Sequence, residues 1–212
     1  MRTLPFIGGL AVLALVWSGS AGHFAPPFTA HMMMHMLVVA VAAPLLALAV
    51  VGTGYDFSPR VPLLFAPLPA SLLEFAAVWG WHAPALHEFA RGSVAGVALE
   101  QASFLAVGFV LWLACIGERG GGRAAGVFGL LFTSMHMTLL GALLALAPRA
   151  LYGHAHQSAA GALSAIDDQN LGGVVMLAAG GAAYLLGGLI LTARLLNAPH
   201  PYPRNGESCR SS

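Results

Sequence analysis

The residues best suited to chemistry form a run rich in histidine and methionine near the start of the chain. His31 and His35 are four positions apart, and methionines including Met32 and Met36 fill the rest of the run HMMMHM. Residues four positions apart lie on one face of a helix, so both imidazoles can approach one metal ion. Imidazole and thioether donors together suit Cu(I). The run predicts a copper(I) site with His31, His35, Met32 and Met36 among its ligands.

Two further histidines lie in segments that are predicted to be helical. His136 has a methionine on each side, and in an all-helical bundle it can face the same cavity as the first pair. His82 lies in the run WGWHAP, two positions before Pro84, and a proline breaks a helix by removing an N–H donor. The His82 imidazole is therefore either a metal ligand or a cap on the broken helix end.

Acidic residues within apolar runs are a second group of candidates. A carboxylate in a membrane tends to be paired or functional, and Glu100 lies a few residues inside such a run. We expect Glu100 to orient a histidine ligand from outside the first ring of ligands. Glu74 is predicted to be protonated or bonded to a neighbouring helix. His87 and Glu88 are predicted to lie in a solvated loop.

The motif DDQNLGG opens the last apolar run. Asp167 or Asp168 can cap this helix by accepting hydrogen bonds from its open N–H groups, and Asp168 can also help to hold a cation. Gly172 and Gly173 allow a neighbouring helix to pack closely.

Composition shows what surrounds these residues. Hydrophobic residues make up 58% of the chain and charged residues only 8%, whereas soluble domains carry about 25% charged residues. We therefore expect a chain embedded in the lipid bilayer. The net charge of +1 provides no basic patch for nucleic acid. No nucleophile–base pair and no phosphate-binding loop is present, so we expect no enzyme activity.

The apolar runs predict the architecture. A crossing needs about 20 apolar residues, and the runs that meet this length are 31–52, 67–85, 94–117, 124–147 and 171–195. Residues 4–21 read either as a first helix or as a signal peptide. We predict an all-α polytopic membrane bundle over residues 1–196, with about six transmembrane helices, or five if residues 1–21 are cleaved. Residues 197–212 are predicted to form a disordered cytoplasmic tail.

Arginine placement predicts the orientation. With six crossings, seven of the nine basic residues fall on one side and only Arg91 and Arg149 on the other, which makes the first side cytoplasmic. We expect a multi-pass protein of a bacterial inner membrane with a cytoplasmic C-terminus. Most histidines then lie at the external side: His23, His31, His35, His82, His87, His154 and His156.

The order of motifs resembles a known family. The blocks HMMMHMLVVAVAAPLLALA, WGWHAPAL, LEQASFLAVGFVLWL, TLLGALLALAPRALY and DDQNLGGVVML follow one another across residues 31–177. This pattern resembles the CtaG family of cytochrome c oxidase assembly factors, in the branch associated with caa-type oxidases. The resemblance implies a membrane protein that helps copper to reach the membrane-buried copper centre of the oxidase, with an oxidase subunit as its partner.

The resemblance also points to individual residues. His31 and His35 match the family's paired histidines, His82 matches the histidine of its W-x-H-x-P block, and Asp168 matches the acid of its DQ-x-x-GG block. At the fourth helix the family commonly has a histidine-acid-histidine group, of which this chain keeps only Glu100. His136 is an additional histidine that can substitute for a lost ligand.

Several functions remain open at this stage. The first is a copper-handling assembly factor without catalysis, in which His31 and His35 bind Cu(I), with His82 and His136 next. The second is a haem-bearing electron carrier with His35 opposite His82 or His136. A transporter and a scaffold that contacts oxidase subunits without any metal are the remaining possibilities.

Overall fold

The chain folds as a set of packed helices. The structure, a computed structural model, describes residues 1–19, 25–117, 122–152 and 163–197. Within these ranges all regular elements are helical, which confirms the all-α class. The α-helices are α1 (Thr3–Trp17), α2 (Pro27–Leu37), α3 (Ala43–Val50), α4 (Pro67–Trp81), α5 (Pro84–Arg91), α6 (Val94–Ile116), α7 (Gly122–Ala145) and α8 (Ala165–Leu196).

Four helical stretches are long and apolar enough to cross a membrane: Pro27–Val50, Val94–Ile116, Gly122–Ala145 and Ala165–Leu196. The helical membrane bundle is therefore confirmed, with fewer full-length spans than the six we predicted. Helices α1 and α4 occupy the other two predicted crossings but have 15 residues each. At 1.5 Å per residue they are about 22 Å long, which is less than the hydrocarbon core of about 30 Å. Helix α4 ends early because Pro84 prevents its continuation.

The stretch Pro27–Val50 contains a π-helical segment, Val38–Ala42, between α2 and α3. In this segment the Ala43 N–H bonds to the Val38 carbonyl, five residues earlier. In the same register the Val39 carbonyl would accept from residue 44, which is a proline and has no N–H. The freed Val39 carbonyl accepts from Trp112 Nε1 of α6 at 3.0 Å and from the Tyr184 hydroxyl of α8 at 3.4 Å. The same hydroxyl lies 2.5 Å from Glu74 Oε1 of α4, so the prediction that Glu74 bonds to a neighbouring helix is confirmed.

Helices α7 and α8 pack through glycines. A Cβ added at Gly141 would lie 2.6 Å from the backbone nitrogen of Leu177, and one added at Gly173 would lie 2.8 Å from the Gly141 carbonyl oxygen. These distances leave no space for a side chain, so glycine is what allows the two backbones to approach. The close packing predicted for the glycine pair is confirmed.

One end of the bundle gathers most of the candidate residues. The starts of α2, α6 and α8 meet there with the end of α4 and with α5, as contacts between these elements show. We call this region the histidine end and define it by His31, His35, His82, His87 and Glu100.

Asp168 joins α8 to α2 at the histidine end. Its carboxylate accepts from the backbone N–H of Phe28 at 2.9 Å, from the N–H of Thr29 at 2.8 Å and from the Thr29 hydroxyl at 2.7 Å. Asp168 therefore caps α2 rather than its own helix, which corrects our expectation. Ser164 caps α8 instead, by accepting from the N–H of Asp167.

Replacing this carboxylate should destabilise the bundle. In Asp168→Ala the N–H groups at the start of α2 lose their acceptor, and leaving buried donors unsatisfied costs about 1–3 kcal/mol. We expect a loss of that size in the free energy of unfolding, measured by denaturant titration in detergent micelles. The matched control is Asp167→Ala, because Asp167 is exposed and its carboxylate accepts from Ser164. Equal losses in the two variants would contradict the assignment.

Candidate metal site

Helix α2 presents its histidines and its methionines to different neighbours. His31 is 3% exposed and His35 is 0% exposed, and both rings contact rings on α4, α5 or α6. Consecutive helical residues differ by about 100° around the axis, so Met32 and Met36 face α8 instead. A Cβ added at Gly172 would lie 3.0 Å from Met32 Cγ, and one added at Gly180 would lie 3.2 Å from Met36 Sδ. The predicted thioether ligands thus pack against α8, on a different side of α2 from the imidazoles.

An outer cluster forms around His31. Its Nε2 atom lies 3.6 Å from Glu100 Oε1, and its ring centroid lies 5.3 Å from that of His87. Each of His31, His87 and Glu100 offers one ligand atom, and these three atoms all lie within 4.8 Å of one another. The three residues come from α2, α5 and α6 and are all buried. Residues far apart in the sequence therefore form a compact donor set of two imidazoles and one carboxylate.

The position of His87 corrects the prediction of a solvated loop. Residues Pro84–Arg91 form the short helix α5, because Pro84 both ends α4 and is well suited to the first position of a new helix. This helix buries His87 and leaves Glu88 exposed. Burial, together with the charges of Arg91 and His82, lowers the pKa of His87 to about 4. The imidazole is therefore neutral near pH 7 and has a ring nitrogen available to bind a metal.

Arg91 is a residue of the site that was not predicted as one. In the sequence it contributed only to the predicted orientation of the chain in the membrane. Its guanidinium forms an ion pair with Glu100 Oε2, while Glu100 Oε1 faces His31. Arg91 lies four positions after His87 on α5, so the two side chains share a helix face. Helices α5 and α6 come close at Gly96, where an added Cβ would lie 2.8 Å from the Phe89 carbonyl oxygen. The i, i+4 spacing of His87 and Arg91 was the available sequence signal.

An inner pair consists of His35 and His82. Their ring centroids are 5.4 Å apart, and the ring of Phe104 lies 4.0 Å from that of His35. His82 Nδ1 lies 2.6 Å from the Val78 carbonyl oxygen. Because a carbonyl oxygen only accepts, Nδ1 carries the proton and Nε2 keeps its lone pair. His82 thus bonds to the broken end of α4 and still offers a nitrogen for a metal, so the two alternatives left by the sequence are compatible.

The ring nitrogens of this end have few partners. Within the described part of the chain, no hydrogen-bond partner is found for His31 Nδ1, for either nitrogen of His35, for His82 Nε2 or for His87 Nδ1. Buried polar atoms in proteins are usually paired. These nitrogens are therefore candidates for ligands to a metal ion.

His136 lies elsewhere in the bundle. It is nine positions before the end of α7, which is about 13 Å along the helix axis. Its ring contacts Phe75 at 5.2 Å and Phe132 at 5.6 Å between centroids. The predicted ligands His136 and His31 are thus not in the same cluster. His23, His154, His156 and the predicted tail from residue 198 lie outside the described residues.

Tyr152 covers the outer cluster. Its hydroxyl donates to the His82 carbonyl oxygen at 2.8 Å, and its ring lies 4.4 Å from that of His87 and 4.8 Å from that of Phe28. The tyrosine therefore bonds to the segment that follows α4 and shields the imidazole on α5.

Removing this aromatic cover should expose His87. We expect diethyl pyrocarbonate to modify His87 slowly in the wild type and several-fold faster in Tyr152→Ala, measured by mass spectrometry of the peptide that contains it. Tyr152→Phe is the matched control, because it keeps the ring and loses only the hydroxyl. Equal modification rates in the wild type and Tyr152→Ala would show that Tyr152 does not shield His87.

Comparison with known proteins identifies the family. The family model described as cytochrome c oxidase caa3 assembly factor (Caa3_CtaG) matches residues 1–198. No curated protein and no solved structure matches the chain. The matched range includes all of the helices described above and the five motif blocks, so the resemblance seen in the sequence is confirmed. The chain belongs to the family of cytochrome c oxidase caa3 assembly factors.

Proposed function

We propose that this protein assists the assembly of cytochrome c oxidase by binding copper(I) at the histidine end and delivering it to an oxidase subunit. The observation that carries the proposal is the inner pair, in which His35 and His82 face each other at 5.4 Å between ring centroids. Their three nitrogens without a partner among the described residues would each cost about 1–3 kcal/mol if left unsatisfied. A bound metal ion would satisfy one nitrogen on each ring.

The chemistry of the inner pair favours Cu(I). Two neutral imidazoles bring no negative charge, and the ring of Phe104 provides an apolar wall. Burying an ion in such surroundings is less costly when its charge is low, and imidazole is a good ligand for copper. His31 lies one turn closer to the start of α2 on the same face and stays a predicted metal ligand, at the outer cluster rather than at the inner pair.

An incomplete set of ligands suits transfer better than storage. Two imidazoles leave coordination positions open, so a ligand of the oxidase can enter before His35 or His82 leaves. From the arginine distribution we propose that the histidine end lies on the external side of a bacterial inner membrane and that the C-terminus is cytoplasmic. We therefore propose that copper is passed on at the external face, where the oxidase subunit would dock in the same bilayer.

Copper(I) binding should depend on both rings of the inner pair. We expect His35→Ala and His82→Ala each to weaken Cu(I) binding at least about tenfold, since even the loss of an outer hydrogen-bond partner can cost 10–100-fold in metal affinity. The measurement is competition with a chromogenic Cu(I) chelator on the full chain in detergent under reducing conditions. His200→Ala is the control, because the sequence assigns this histidine to the predicted cytoplasmic tail.

The outcomes separate this proposal from its alternatives. Equal Cu(I) affinity in the wild type and in a His35→Ala/His82→Ala double variant would overturn it. A Soret band in the purified protein would indicate haem at the same pair. In cells that carry His35→Ala, we expect the purified oxidase to contain less copper, whereas a scaffold without metal would leave the copper content of the oxidase unchanged.

A further inference from the structure

We infer that His31, His87 and Glu100 form a second metal site, which binds a divalent first-row transition ion and whose carboxylate is held by Arg91 when no ion is bound. The inference goes beyond the proposed function, because it concerns a different donor set and a different ion. It does not require the inner pair His35–His82 to bind copper.

The geometry of the outer cluster is that of a built site. One ligand atom from each residue lies within 4.8 Å of the other two, a separation that an ion at ordinary coordination distances can bridge after small side-chain movements. His31 and Glu100 project from the long helices α2 and α6, and His87 is 7% exposed on α5. Within the described ranges, three buried atoms of the cluster have no hydrogen-bond partner: His31 Nδ1, His87 Nδ1 and Glu100 Oε1. Three packed helices thus bring one donor atom each from His31, His87 and Glu100 close together.

The donor chemistry differs from that of the inner pair. Two imidazoles with one carboxylate are typical ligands of divalent first-row ions, with an affinity that generally rises toward Cu(II). The negative carboxylate offsets part of the charge of a divalent ion, which a buried site requires. The inner pair, His35 and His82, has two neutral rings and offers no such compensation. The two clusters therefore differ in the ionic charge that they can stabilise.

Arg91 is the residue that an incoming ion must displace. A buried carboxylate without a counter-charge is costly, and Arg91 provides that charge through Glu100 Oε2. The Arg91 side chain is 33% exposed, so its guanidinium can move outward into water. A divalent ion between His31, His87 and Glu100 would repel the guanidinium and take over its role. Arg91 thus lowers the affinity of the site and keeps the empty site neutral.

Cobalt(II) titration of the full chain in detergent tests the site, because coordinated Co(II) has visible d–d absorption. Competition with Zn(II) then gives the affinity of the site for Zn(II). We expect one Co(II) per chain at the outer cluster and at least about tenfold weaker binding in Glu100→Gln, which removes the only anionic ligand. We expect at least about tenfold tighter binding in Arg91→Gln, since removing one unit charge at a few ångströms changes the binding free energy by more than the roughly 1.4 kcal/mol that corresponds to tenfold.

Matched controls are available in the same region. Glu88→Gln and Arg149→Gln make the same chemical changes at exposed positions and should keep the wild-type affinity for Co(II). A gain in affinity in Arg91→Gln cannot result from misfolding, so this variant keeps the test decisive even if Glu100→Gln is unstable.

Several results would overturn the inference. One is unchanged Co(II) affinity in Glu100→Gln, and another is unchanged or weaker binding in Arg91→Gln. A third is loss of Cu(I) binding in Glu100→Gln, which would mean one site rather than two. Binding of Co(II) at the outer cluster without any Cu(I) binding at the inner pair would instead support this inference and remove the proposed function.

Discussion

The constraint on which this structure depends is that polar groups inside a bilayer find no water and must find partners within the protein. The middle of the bundle satisfies it in part, because Glu74 Oε1 bonds with Tyr184 and the Val39 carbonyl accepts from Tyr184 and Trp112. Among the described residues, Glu74 Oε2 and both ring nitrogens of His136 have no hydrogen-bond partner there. At the histidine end the Asp168 carboxylate accepts from the backbone N–H of Thr29 at the start of α2, but this end also meets the constraint only in part. Its buried imidazole nitrogens are largely unpaired in the described chain. What distinguishes this end is that its imidazoles lie in pairs, with ring centroids 5.3 Å apart for His31 and His87 and 5.4 Å apart for His35 and His82, which is the arrangement that a shared ligand requires.

The sequence predicted the membrane-spanning helices well where the bilayer determines their length. The runs 94–117 and 124–147 correspond closely to Val94–Ile116 and Gly122–Ala145, because hydropathy marks the residues that lie in lipid. It predicted the start of α8 less well: hydropathy began the last apolar run at residue 171 and the capping motif pointed to Asp167 or Asp168, whereas the helix begins at Ala165. The first turns of α8 are polar and depend on the Ser164 cap, and a hydropathy pattern does not detect such turns.

The site was predictable along single helices but not between them. The four-residue spacing correctly placed His31 and His35 on one face of α2. It contained no information on their partners, and the rings pair separately, His31 with His87 and His35 with His82. Those pairings depend on how α4 and α5 pack against α2 and α6. His87 was assigned to a loop because it lies in a break between two apolar runs, although the charged residues Glu88 and Arg91 of that break also fit the exposed face of a short amphipathic helix.

Pro84 positions both clusters. Pro84 ends α4 close to His82, and the Val78 carbonyl in the last turn of α4 accepts from the His82 backbone N–H at 3.1 Å and also from Nδ1 of the His82 side chain at 2.6 Å. This bond sets the tautomer of His82 and leaves Nε2 free near His35. By starting α5, the same proline places His87 one turn after the break and Arg91 one turn further on, above Glu100 on α6. A change that restored a continuous helix here would therefore move residues of both clusters together, so the break in the helix determines the geometry of both candidate sites.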